Sequence, residues 1–105
     1  MDAKQFVANW RAEKDRYLQD AMEPGTFPGK QVAAMHLSEF QTHQLRKLLD
    51  TVLTDVMYTL LLGLDGSASI GGDQQSYRIL DEDGHVVSSC GDLEVEAHEQ
   101  FQLGA

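Results

Sequence analysis

Four groups of residues in this chain have the types and spacing that chemistry requires. The first is Asp65-Gly66-Ser67-Ala68-Ser69-Ile70-Gly71-Gly72-Asp73, dense in glycine, acid and hydroxyl. Successive backbone amides beside glycines can cradle an anion. A phosphate loop also needs a lysine and a helix start at fixed spacing, and this segment has neither. As a calcium loop starting at Asp65, it places Ile70 where the sixth position requires glycine and Ser76 where the twelfth requires glutamate. Starting instead from Asp81 gives Asp81, Asp83 and His85, with Val86 at the glycine position. Both registers fail.

The second group is His36, Glu39 and His43, followed on a later helix by Glu94 and His98. A zinc-protease pattern needs two histidines four apart with a glutamate after the first, and that is absent. The third is Cys90, the only cysteine, which excludes a disulfide within one chain. A helix start can lower a thiol pKa, but Asp92, Glu94 and Glu96 beside it act in the opposite direction. The fourth is the hydroxyl set Ser67, Ser69, Ser88 and Ser89, none of which sits in a Gly-x-Ser-x-Gly elbow. No catalytic residue, cofactor or metal is assigned on these patterns.

The elements that must position these residues follow from periodicity and caps. A first helix is expected from Ala3 to about Met22, capped by Asp2 with Gln5 at the matching third position. Its apolar stripe is Phe6, Val7, Trp10, Tyr17, Leu18, Ala21 and Met22, interrupted by the charged run Arg11 to Arg16. Glu23-Pro24-Gly25-Thr26-Phe27-Pro28-Gly29 reads as a turn-rich connector with Phe27 as an apolar anchor. Residues 30–37 read as a short strand or an irregular lead-in.

A second, longer helix begins after Ser38, with Gln41 completing a capping box, and ends near Gly63. Apolar residues from Leu45 to Leu64 recur at three- and four-residue steps and, toward the end, occupy most faces. Such a helix is buried in a core or covered by a partner, so it is expected to be the central element. Gln74 to Leu80 and His85 to Ser89 read as two strands joined at Asp83-Gly84, a strong hairpin signal. A short last helix follows from Asp92 to about Phe101, capped by Asp92, with Leu93, Ala97 and Phe101 on one side. The expected fold class is α+β: a central long buried helix with a flanking N-terminal helix, a β-hairpin over about 74–89 and a short C-terminal helix, in one domain spanning residues 1–105.

Charge is divided unevenly. Residues 1–47 carry seven Lys/Arg against six acids, whereas residues 48–105 carry Arg78 alone against eleven. Nucleic acid and anionic membranes both require the opposite sign. A basic protein partner is compatible with it. The first residues lack the basic start and apolar stretch of a secretory signal, and the longest dense apolar run, Val56 to Leu64, is too short to span a bilayer. The expected location is cytoplasmic.

The stretch from Leu60 through Gly72, with Tyr77-Arg78-Ile79-Leu80-Asp81-Glu82-Asp83-Gly84 and the closing acidic helix to Phe101, resembles small acidic bacterial proteins of the toxin-immunity type. That resemblance implies a protein that binds a cognate toxin and has no catalysis of its own. The leading expectation is therefore a non-enzymatic protein-binding domain, an immunity-type protein or adaptor. Its partner-binding candidates are Asp81, Glu82, Asp83, Asp92, Glu94, Glu96, Glu99 and Tyr77, with Phe101 and Phe27 as further apolar anchors or core residues. Two alternatives stand beside it. One is a small-molecule-binding protein or enzyme with its site at Asp65, Ser67, Ser69 and Asp73. The other is a structural homodimer, motivated by the apolar end of the second helix.

Overall fold

The computed structural model describes residues 1–89 and 91–103. Its elements run α1 (Ala3–Ala21), α2 (Phe27–Ala34), α3 (Glu39–Leu64), β1 (Ile79–Leu80), β2 (Val86–Ser88) and α4 (Asp92–Ala97), with α4 continuing as a π-helical turn, His98–Leu103. The fold is α+β and dominated by helix, as expected.

Both long helices begin where their caps dictate. The Asp2 carboxylate accepts the Gln5 backbone N–H at 2.8 Å. The Gln5 side chain turns forward to Asn9 instead of closing a capping box. At Ser38 the box is complete: the Ser38 Oγ accepts the Gln41 N–H, and the Gln41 Oε1 accepts the Ser38 N–H. Each satisfies a backbone donor that the first helical turn leaves without a partner.

The core is small and sits where α1, α3 and α4 meet. Val7, Leu61, Leu93, Ala97 and Phe101 form its buried centre, with Phe6, Trp10, Met57, Tyr58 and Leu64 packed around it. A fully buried Leu or Val contributes about 1.5–3 kcal/mol, so these few side chains carry much of the stability of the fold. The four-residue spacing of Leu93, Ala97 and Phe101 places all three inward. Phe101 is thereby a core residue and not an interface anchor.

Several local expectations are corrected. Residues 30–37 are mostly helical, because α2 begins at Phe27 with Pro28 in its first turn and the Thr26 hydroxyl accepting the Gly29 N–H at 3.0 Å. Phe27 does not anchor the connector to the core: it is 86% exposed, with the Lys30 ammonium 5.8 Å from its ring centre. Tyr17 also faces outward, beneath the Arg16 guanidinium. The strand expected over 74–80 shrinks to Ile79–Leu80, because Gln74, Gln75 and Ser76 find no partner strand and remain exposed. The return strand is Val86–Ser88, and a register irregularity between Ile79 and Leu80 shortens the ladder further. The turn itself matches the sequence signal: Gly84 adopts φ +83°, and its N–H bonds back to the Asp81 carbonyl.

Helix α3 passes through Gly63 and ends at Leu64, so Gly63 does not terminate it with a left-handed residue. Its role is contact. A Cβ there would lie 2.3 Å from Ile70 Cγ1, so only glycine lets the 65–73 loop press against the helix. Burial along α3 is also uneven. Leu61 and Gly63 are fully buried, while most of the first two thirds of the helix is exposed or half-buried. The molecule measures 47 × 28 × 25 Å, and its radius of gyration of 16.1 Å exceeds the roughly 13 Å of a compact domain this size. Helix α3 is a rod extending beyond its core.

Candidate functional site

The fold places most of the acids of residues 48–105, those of the 65–73 loop, the hairpin and α4, around one end of the rod, while Asp50 and Asp55 lie along the middle of α3. Two long-range contacts define that end: the N-terminal ammonium lies 3.5 Å from Asp81, and the Gln100 side chain donates to the Lys4 carbonyl. The hairpin, the 65–73 loop and α4 therefore surround the start of α1 and the end of α3. Lys30, Arg46 and Lys47 belong to α2 and the first part of α3, toward the opposite end.

Of the loop candidates, Asp65 is 1% exposed. Its Oδ1 accepts the backbone N–H groups of Gly91 at 2.9 Å and Leu93 at 3.1 Å, and its Oδ2 accepts that of Glu94 at 3.1 Å. This carboxylate is the cap of α4, supplied from 26 residues upstream of Gly91. Asp92, expected to cap, is instead the first residue inside the helix, and its carboxylate accepts the N–H and hydroxyl of Ser89. Gly91 occupies the cap position in the left-handed region at φ +99°, where a side-chain cap is lacking. Ser67 donates to Glu94 at 3.1 Å, tying the same loop to the same helix. Ser69 and Asp73 are exposed, and Asp73 pairs through its backbone with Ile70. The loop that resembled a ligand cradle is fastened to α4.

Among the interface candidates, Asp81, Glu82 and Asp83 occupy the hairpin turn. The Asp81 carboxylate is held below its ordinary range, chiefly by the His85 backbone N–H it accepts at 2.9 Å, and also by that of Asp83 at 3.0 Å and by the N-terminal ammonium. Asp81, Asp83 and His85 bring ligand atoms within 4.8 Å of one another. Glu82 and Asp83 are exposed, as are Asp92, Glu94 and Glu99; Glu96 is half-buried and accepts from Gln100. Tyr77 is half-buried in the segment before β1. Cys90 lies outside the described residues.

Three cations of α1, Arg11, Lys14 and Arg16, are matched by carboxylates. Arg16 pairs with Glu13 and Asp20, and Arg11 with Asp15. Lys14 is buried, and its ammonium reaches Asp50 at 2.8 Å and Asp15 at 2.9 Å. Burial lowers the Lys14 pKa, but the hydrogen bonds to Asp50 and Asp15 outweigh it and leave the group raised. Asp50 is correspondingly lowered, first by the Lys14 hydrogen bond. Lys14–Asp50 thus rivets α1 to the middle of α3.

The sequence reading missed the most extended feature of the surface. Helices α1 and α4 cover one side of α3. On the other side, Leu48, Val52, Val56 and Leu60 stand at successive four-residue steps, all exposed, with Leu45 and Leu49 half-buried beside them. Leu48 is 59% exposed, and Val52 and Val56 are each 47% exposed. Near Leu60 this stripe opens into a groove of about 490 Å³ lined by Asn9, Trp10, Glu13, Met57 and Leu60. The sequence reading allows either a core or a partner to cover the apolar residues of this helix, and the fold leaves this side without a core. The signal for exposure was the width of the apolar pattern, which exceeds what one covering layer can hide.

No protein-family model, curated protein or solved structure matches the chain. Among the described residues, no helix is long and apolar enough to cross a membrane.

Proposed function

We propose that this chain is a protein-binding domain acting without catalysis of its own, and that its binding surface is the uncovered side of α3. One observation carries the reading: an unbroken row of exposed aliphatic side chains on a helix pinned at its middle to α1 by the Lys14–Asp50 pair. A large contiguous apolar patch on a soluble chain marks a place where another macromolecule sits, and a helix face is a recurrent form of such a site. The acidic end adds a field that speeds encounter with a basic surface and sets its orientation. A binding role without catalysis is also what the resemblance to immunity-type proteins implies. The competing small-molecule reading is weakened because Asp65 and Ser67 are already engaged by α4.

A photoreactive phenylalanine analogue placed at Val52 tests this in cells that produce the protein. Irradiation is expected to give a discrete protein adduct from Val52 and none from the same probe at Gln19, an exposed position on α1. Absence of any adduct from Val52 would remove the basis of the reading.

A further inference from the structure

Resting on that reading, we infer that the occupant of the α3 face is a second copy of this chain, its α3 laid antiparallel across the first with the two-fold axis near Val52. The stripe from Leu45 to Leu60 spans 16 residues, about 24 Å of helix, and Val52 stands close to its middle. A row of like residues centred on one position is self-complementary under a two-fold rotation, as an isologous interface requires. Antiparallel alignment sets Leu45 of one copy beside Leu60 of the other, at the mouth of the Trp10–Met57 groove, so each groove receives a leucine from its neighbour.

Charge selects the direction. Helix α3 runs from the end of the molecule holding Lys30, Arg46 and Lys47 toward the end holding the 65–73 loop, the hairpin and α4. Antiparallel copies place the end of each that holds Lys30, Arg46 and Lys47, where residues 13–47 balance five cations against five acids, beside the acidic end of the other. Parallel copies would stack eleven acids of residues 48–105 against the same eleven. The helix dipoles favour the antiparallel arrangement as well. The charges inside the α3 segment from Leu48 to Leu64 leave the stripe itself clear: Asp50 turns to Lys14 and α1, and Asp55 lies at its edge.

Other features carry less. The Asp81–Asp83–His85 cluster is explained by the hairpin turn it closes, and the hollow between α1 and α2 at Arg16, Tyr17 and Phe27 has its cations already paired or stacked.

Sedimentation of the purified chain at tens of micromolar is the test. The expected result is a species of twice the chain mass. The Val52→Glu, Val56→Glu double variant is expected to sediment at the chain mass with unchanged helicity, because both side chains are exposed in the single chain, and to melt at a lower temperature that no longer depends on protein concentration, because the stabilisation by association is lost. Alignment is read by oxidising an equimolar mixture of Leu45→Cys and Leu60→Cys chains, both carrying Cys90→Ser. The antiparallel dimer gives a 45–60 cross-link; a 45–45 cross-link overturns the alignment. A monomeric wild-type chain overturns the second-copy proposal altogether. If the Val52 photoprobe then captures a different protein, the binding reading survives that failure; if it captures nothing, both fall.

Discussion

The Asp65 carboxylate accepts the Leu93 backbone N–H at 3.1 Å, joining the end of α3 to the first turn of α4 across 28 positions of sequence. Together with the bonds to Gly91 and Glu94, it satisfies three backbone donors that a six-residue helix with a glycine at its cap cannot satisfy locally. Asp65→Ala is expected to lower stability by about 3 kcal/mol, since it removes a cap and leaves buried N–H groups without acceptors. Asp65→Asn, which keeps one acceptor oxygen, is expected to lose about half as much. Urea denaturation followed by circular dichroism measures both.

The rivet between α1 and α3 has a direction to its weakness. Asp50→Ala leaves the buried Lys14 ammonium with Asp15 alone and is expected to lose about 1–2 kcal/mol, a figure reduced from the fully buried case because Asp50 is half exposed to screening solvent. Lys14→Met, which replaces the cation by a side chain of similar length, is expected to lose less. Asp50 is lowered in the fold, so its contribution is present above its ordinary range near pH 4 and fades as pH falls through the folded value. Lys14 is raised, so its contribution is present below about pH 10.5 and is lost as pH rises through the folded value. The stability difference between wild type and Asp50→Ala should therefore be flat across neutral pH and shrink at both extremes.

The hairpin turn should loosen in acid. Asp81 is lowered by bonds to the His85 and Asp83 N–H groups, so the turn is tightest above the ordinary aspartate range and loosens as pH falls below it. Asp81→Ala is expected to produce the loosened turn at neutral pH. Amide exchange at His85, followed by NMR and expressed as protection relative to the intrinsic rate at each pH, should show the variant at neutral pH losing the protection that wild type loses only in acid.

Close approach at Gly63 gives a fourth test. Gly63→Ala drives a methyl into Ile70 and is expected to lose about 2 kcal/mol despite alanine's better helix propensity. Gly25→Ala, with open space around its Cβ position and an ordinary backbone, should be nearly neutral. Thermal unfolding of the two variants separates packing from propensity.

Much of the local structure was legible from local rules. Asp2, Ser38 and Asp83-Gly84 each act on groups within a few residues of themselves, so the starts of α1 and α3 and the hairpin turn fall where their residues indicate. The inward side of α4 was equally plain, because four-residue spacing is a property of the helix alone. Misreadings arose where a distant group competes. Asp92 looked like the cap of α4, yet Asp65 reaches it first through space, and no periodicity encodes a pairing over that separation. Residues 74–78 read as the start of a strand that continues into Ile79 and Leu80, but no strand lies beside them, and pairing is a relation between segments.

The sequence by itself determined the starts of the two long helices, the turn, the acidic second half and an α3 whose later turns are apolar on most sides. Which of those sides would be covered was decided only by tertiary structure. A pattern of Leu and Val states how much apolar surface must find cover; the number and direction of neighbouring elements state how much does. Here α1 and α4 suffice for Leu61 and Met57 but not for Val52 and Val56, and the remainder faces outward along one side of the rod.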